Sequence, residues 1–224
     1  MAIAWFAGIA ASLLALPFAN TGNGAADQPT GYLLAALVFQ SIGVVASLTV
    51  ISHVKGQASL HRDFGLVWPL QRITPAAAAA WVLAGVAVSV AAQALVVPVS
   101  AVADLDDPAQ QVSRSLQDAN GIGRLLFALG VVVLAPPVEE LLFRGALLRG
   151  LQRRWSVPVA VFASATVFAG IHVVADPGAI YVVPGVMLLG LVAGAAAARH
   201  GDLARPVLLH VGFNLLGTLG LLLT

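Results

Sequence analysis

The sequence predicts an all-α fold, a polytopic transmembrane helical bundle of seven or eight spans. Three observations predict it. Of 224 residues, 59% are hydrophobic and only 9% are charged. A soluble domain carries about 25% charged residues, so this chain has too few to wet a globular surface. The mean hydropathy of +0.94 agrees. Third, the apolar residues fall into seven runs, each long enough to supply the ~20 residues that a helix needs to cross a bilayer. Composition therefore excludes a soluble enzyme and a disordered protein. A net charge of +1 leaves no basic field for nucleic acid. There is no cysteine, which removes disulfides, thiol nucleophiles and thiolate metal sites. One Lys and ten Arg among abundant Ala, Gly and Val match the compositional bias of a GC-rich bacterial genome.

The runs cover about 1–19, 31–54, 76–103, 121–152, 157–175, 179–198 and 203–223. No Lys or Arg precedes the apolar part of the first run, and a second span follows at once, so it reads as a retained helix rather than a signal peptide. The fourth run is long for a simple span and holds Pro136-Pro137 in its middle. Proline removes a backbone donor and crowds the preceding turn, which predicts a kink or a break there. The run is then one bent helix or two segments. No repeat of fixed period is present, and the chain reads as a single membrane domain, 1–224. Residues 1–120 supply three N-terminal spans and 121–224 hold the core.

Loop charge sets orientation. Lys55, Arg62 and Arg72 lie in one connection, Arg149, Arg153 and Arg154 in a second, Arg199 and Arg205 in a third. These three should be cytoplasmic. The 20–30 loop carries Asp27, and the 104–120 loop carries Asp104, Asp106, Asp107 and Asp118 against Arg114. Alternation is consistent with the N-terminus inside, in a multi-pass protein of a bacterial cytoplasmic membrane.

Ionisable groups inside a bilayer cost at least ~2.5–3.5 kcal/mol each on insertion scales, so each one calls for an explanation. The chain has two glutamates, the adjacent Glu139 and Glu140, directly after the proline pair. Arg144 stands four residues beyond Glu140, on the same helical face, so the two can pair. Glu139 is turned by roughly 100° from that face and is the less neutralised carboxylate. His172 is late in the fifth run, and His210 and Asn214 share a face of the seventh. At ~1.5 Å per residue from the predicted cytoplasmic ends, Glu139 lies ~20 Å deep, His172 ~23 Å, and His210 and Asn214 ~10–17 Å. One polar cluster from three helices is geometrically allowed.

The bland readings are definite too. Glu140 with Arg144 suits an ion pair that stabilises a bent helix. Asn214 suits interhelical hydrogen bonding, as do Gln40 and Gln93, to which no role is assigned. His53, His61 and His200 read as solvated loop residues. A pair of histidines at compatible depth beside an unpaired glutamate is harder to explain as packing.

An apolar surround raises the proton affinity of a carboxyl group, which suits a general base. A histidine beside it can hold a water, and a second histidine with an amide can bind a developing oxyanion. These parts describe hydrolysis of an amide bond by activated water. Two His and one Glu (Glu139, His172, His210) also form a catalytic zinc ligand set, but no His-Glu-x-x-His helix supports it.

The residues then carry a family resemblance. Glu139-Glu140-Leu-Leu-Phe-Arg144 resembles the Glu-Glu-x-x-x-Arg motif of the CPBP family, the CAAX protease and bacteriocin-processing intramembrane proteases. Phe168-Ala-Gly-Ile-His172 resembles its Phe-x-x-x-His motif, and His210-Val-Gly-Phe-Asn214 its His-x-x-x-Asn motif. The likeness covers roughly 121–220. It implies an intramembrane endopeptidase with its active site between helices within the bilayer. It implies that Glu139 and His172 activate the water, that His210 and Asn214 stabilise the oxyanion, and that Glu140 and Arg144 support the site. The family is often classed as metalloprotease and also described as glutamate-dependent without metal; no cofactor is the favoured expectation, with zinc as the alternative. The partners implied are a peptide or membrane-protein substrate, lipidated or not, and the bilayer, but no nucleic acid. Two other classes fit the same residues: a non-catalytic immunity or scaffold protein, and a proton-coupled transporter relaying through Glu139, His172 and His210. The absence of an internal repeat counts against the transporter.

Overall fold

A computed structural model describes residues 1–19, 30–66, 73–103, 121–175, 180 and 182–223, and among them eight helices form, seven from the predicted runs and one from a connection. They are α1 (Ala2–Ser12, continued as a 3₁₀ turn over Leu13–Phe18), α2 (Thr30–Lys55), α3 (Leu60–Phe64) and α4 (Pro75–Ala103). Next come α5 (Gly121–Gln152), α6 (Val157–Ala175), α7 (Val183–His200) and α8 (Ala204–Leu223). Among the described residues every element is helical, and α2, α4, α5, α6 and α7 are long and apolar enough to cross a membrane. Six of the seven predicted runs become helices within a few residues of their expected ends. The first run is the exception. Its α-helix stops at Ser12 and tightens into a 3₁₀ turn containing Pro17, leaving a shorter apolar helix than the expected full span. The acidic loop residues Asp27, Asp104, Asp106, Asp107 and Asp118, with Arg72 and Arg114, lie outside the described residues.

Burial is inverted relative to a soluble protein. Phe6, Leu83, Val133, Phe162 and Val174 are exposed, whereas Glu140, Arg144 and His210 are buried. An apolar exterior around a polar interior is the arrangement that lipid demands. Helix α5 is central and touches α2, α3, α6, α7 and α8. Leu141 and Phe143 of α5 pack there with Leu48, Phe168, Leu189 and Leu209 of its neighbours.

Helix pairs approach closely where they present glycine. Gly85 of α4 faces the backbone of Leu209, and Gly212 of α8 faces that of Val82, with no room for a Cβ at either. Gly8 of α1 lies against Val44 and Gln40, and Gly43 of α2 against Ala7 and Ala11. Small residues let backbones touch, the main route to close packing between helices in lipid.

The fourth run is one continuous helix, not two, and the reason is a change of hydrogen-bond register. Gly130–Leu134 is a π segment, and the Ala135 amide donates to the Gly130 carbonyl, five residues back. Pro136 and Pro137 then open the α segment Ala135–Glu140, where proline's fixed φ is tolerated. In that register the carbonyl of Val131 is due to receive the amide of residue 136, which proline lacks. A second π segment spans Leu141–Leu148.

The three arginine-bearing connections meet at one end of the bundle. Arg149 Nη2 donates to the Gly201 carbonyl at 2.6 Å, and the Leu203 amide donates to the Gly65 carbonyl at 3.0 Å. Helix α3 lies in the first of these connections and was not foreseen there. Its signals are local: Ser59 caps its start by accepting the Arg62 amide, and Gly65 ends it at a φ of 75°.

Candidate active site

Glu139 and Glu140 sit on the last turn between the two π segments, and the helix points them in different directions. Glu140 is fully buried. Its Oε1 accepts from Arg144 Nη1 at 3.0 Å and from His210 Nδ1 at 2.9 Å. Arg144 continues the chain of contacts: Nη2 donates to the Gly190 carbonyl at 3.2 Å, and the guanidinium lies 4.4 Å from the Phe168 ring centroid. The expected Glu140–Arg144 pair is therefore present, and it recruits His210 from α8. Glu140 Oε2 and Arg144 Nε have no hydrogen-bond partner among the described residues.

A carboxylate can only accept, so Nδ1 of His210 carries a proton, and Nε2 is left toward Glu139, whose Oε2 is 3.8 Å away. That distance is too long for a hydrogen bond. Glu139 has no arginine partner and its side chain is about a third exposed, at 32%. It faces a cavity of about 160 Å³ that His172 also lines. Nδ1 of His172 donates to the Phe168 carbonyl of its own helix at 2.8 Å, which leaves Nε2 as the acceptor of the neutral ring. The Phe168 ring packs edge-on between His172 and His210 and sets their spacing.

Asn214 is placed differently from His210, the other named residue of its motif. Its Nδ2 donates at 2.9 Å to Val131, the carbonyl that Pro136 cannot serve. One amide hydrogen remains. A second carbonyl, that of Phe143 in the other π segment, receives the Ser164 hydroxyl of α6 at 3.1 Å. The six predicted residues thus divide into a buried unit (Glu140, Arg144, His210), a cavity pair (Glu139, His172) and a backbone clamp (Asn214). His53, His61 and His200 are exposed as expected, although each lies at a helix end rather than in a loop.

Two residues outside the prediction belong to the surroundings. Gln40 of α2 lines the cavity with Glu139 and His172. Ser164 holds the register of α5, and no spacing pattern could have marked it. For zinc the fit is poor: among the described residues no three His, Asp or Glu side chains converge as a metal would require.

Comparison with known proteins bears on the class of the chain. Residues 121–216 match the model of the family described as type II CAAX prenyl endopeptidase Rce1-like, a peptidase family. The matched segment contains all three motifs. An Escherichia coli protein, described as an uncharacterized 24.3 kDa protein, is 32% identical over 97 residues. The match spans 42% of this chain and 44% of that protein, less than half of each. No solved structure matches the chain. The chain is thus a helical membrane protein with a segment that is similar to a protease family.

Proposed function

We propose that this protein is an intramembrane endopeptidase in which Glu139 and His172 activate a water against a peptide bond. One observation carries the reading: Glu139, the carboxylate with no arginine partner, and His172 line the same cavity, while Glu140, Arg144 and His210 are tied to one another beside it. The water oxygen adds to the carbonyl carbon, and its proton passes to Glu139. Collapse breaks the C–N bond, and Glu139 returns the proton to the leaving nitrogen. His172, with Nδ1 fixed on Phe168, offers Nε2 to orient the water. His210 in its doubly protonated form, with Nδ1–H held by Glu140, offers Nε2–H, and with the remaining amide hydrogen of Asn214 it stabilises the oxyanion. Glu140 and Arg144 keep His210 in place. The reaction so written needs no metal.

The convergence of three basic connections at one end supports placing that end in the cytoplasm, in a bacterial cytoplasmic membrane with the N-terminus inside. The substrate is a peptide or membrane protein, with or without a lipid.

The test compares protein termini in membranes of cells carrying wild type or Glu139→Gln at equal expression. The protease reading expects termini that only the wild type produces. Identical profiles from two inserted, folded proteins would sink it and favour a scaffold or immunity role. Repeating the cut under a strong chelator tests the metal-free chemistry, which loss of turnover and recovery with zinc would overturn. Proton-gradient-driven uptake in vesicles would revive the transporter.

A further inference from the structure

The cavity beside Glu139 has two walls. One is the matched segment, with Glu139, Phe143 and His172; the other is built by α1 and α2, which lie outside residues 121–216. That second wall is apolar, through Trp5, Leu37 and Val44, apart from Ser41 and Gln40. Ser41 satisfies its hydroxyl on the Leu37 carbonyl of its own helix at 2.7 Å. Gln40 does not do the same: among the described residues nothing hydrogen-bonds its amide. Its amide borders the cavity rather than being sealed off, and a glutamine brings two donors and an acceptor to that space. Gly8 leaves the space it occupies, since a Cβ there would lie 3.3 Å from Gln40 Cγ.

We propose that Gln40 is a substrate-binding residue of this site, an inference that rests on the protease reading above. Its amide donates to a carbonyl and accepts from an N–H of a peptide lying across the cavity, next to the bond that the water attacks. The ligand class follows from that pairing. A helical substrate has its backbone groups satisfied internally and offers the amide nothing, whereas an extended stretch exposes both groups. Gln40 therefore selects a locally unwound, extended segment. It also makes the site a joint product of the matched domain and the N-terminal helices.

The experiment uses the full chain in detergent or vesicles and a synthetic peptide spanning a cut found with the wild type. Gln40→Met keeps length and shape, suits a membrane helix and deletes both hydrogen-bonding groups. It should lower kcat/KM about ten-fold, the worth of a lost amide hydrogen bond, mainly through KM. Gln40→Glu, which keeps acceptors and removes the donor when ionised, should fall as well and serves if the first variant does not fold. Gln93→Met, on the exposed side of α4, should leave both constants unchanged. Wild-type KM and kcat in both Gln40 variants, with Glu139→Gln inactive, would overturn this proposal and spare the protease reading. A wild type that cuts no peptide overturns both.

Discussion

Asn214 donates its side-chain amide to the carbonyl of Val131, 83 residues earlier in the chain and on a different helix. The bond exists because Pro136 has no amide hydrogen to give that carbonyl. A sequence motif residue is therefore also the clamp that lets α5 pass through a proline pair without breaking. Replacing it by Leu should leave the carbonyl bare and cost roughly 0.6–2 kcal/mol, the range for hydrogen bonds between membrane helices. Unfolding of the detergent-solubilised protein would measure this, and unchanged stability would refute the clamp.

The two adjacent glutamates should respond differently to the same substitution. Glu140→Gln leaves Arg144 buried with a neutral partner, and breaking a buried pair costs about 3–5 kcal/mol. Little folded protein should be recovered. Glu139→Gln touches no ion pair to arginine and should fold like the wild type. Equal yields and equal melting of the two variants would contradict the division into a buried unit and a cavity residue.

Gly212 should tolerate no side chain. A methyl there meets the Val82 backbone of α4, so Gly212→Ala must push α8 away and carry His210 with it. Overpacking of this kind costs about 1–3 kcal/mol. Gly217→Ala is the control, in the same helix with open space around its Cβ position. Thermal unfolding of both variants decides the point, and a matched pair of curves would show that α4 and α8 are not in contact.

The α2–α3 connection should loosen in acid. Asp63 accepts from the Ser52 hydroxyl and the Gln57 and Ser59 amides, which hold its carboxyl below the usual range. The Ser52 hydroxyl is the largest cause, and partial desolvation opposes it. A depressed value in the folded state means that the contribution is complete above the ordinary carboxylate pKa of about 4 and fades as pH falls through the lower folded value. Limited proteolysis around residues 56–66 should accelerate in that acid window for the wild type. Asp63→Asn should be cut readily at every pH, and a wild-type rate that ignores pH would disprove the role.

Much of this was legible in the sequence for a simple reason. Twenty apolar residues in a row have one low-energy state in a bilayer, so the runs marked the helices to within a few residues. The i,i+4 spacing placed Arg144 on Glu140, and the 100° step separated Glu139 from both. The 3₁₀ ending of α1 and the short helix α3 were missed, because both are settled by local turns inside stretches that hydropathy describes only coarsely.

Sequence alone determined that the chain lies in a membrane, which residues are its interior charges, and which three motifs carry them. Tertiary structure decided what each charge does. That His210 bonds Glu140 rather than Glu139, that Asn214 serves a carbonyl emptied by proline, and that Gln40 faces the cavity all depend on how neighbouring helices meet. Helical periodicity fixes the face a residue occupies on its own helix, but only the crossing of two helices, here set by glycines such as Gly85 and Gly212, chooses what stands opposite.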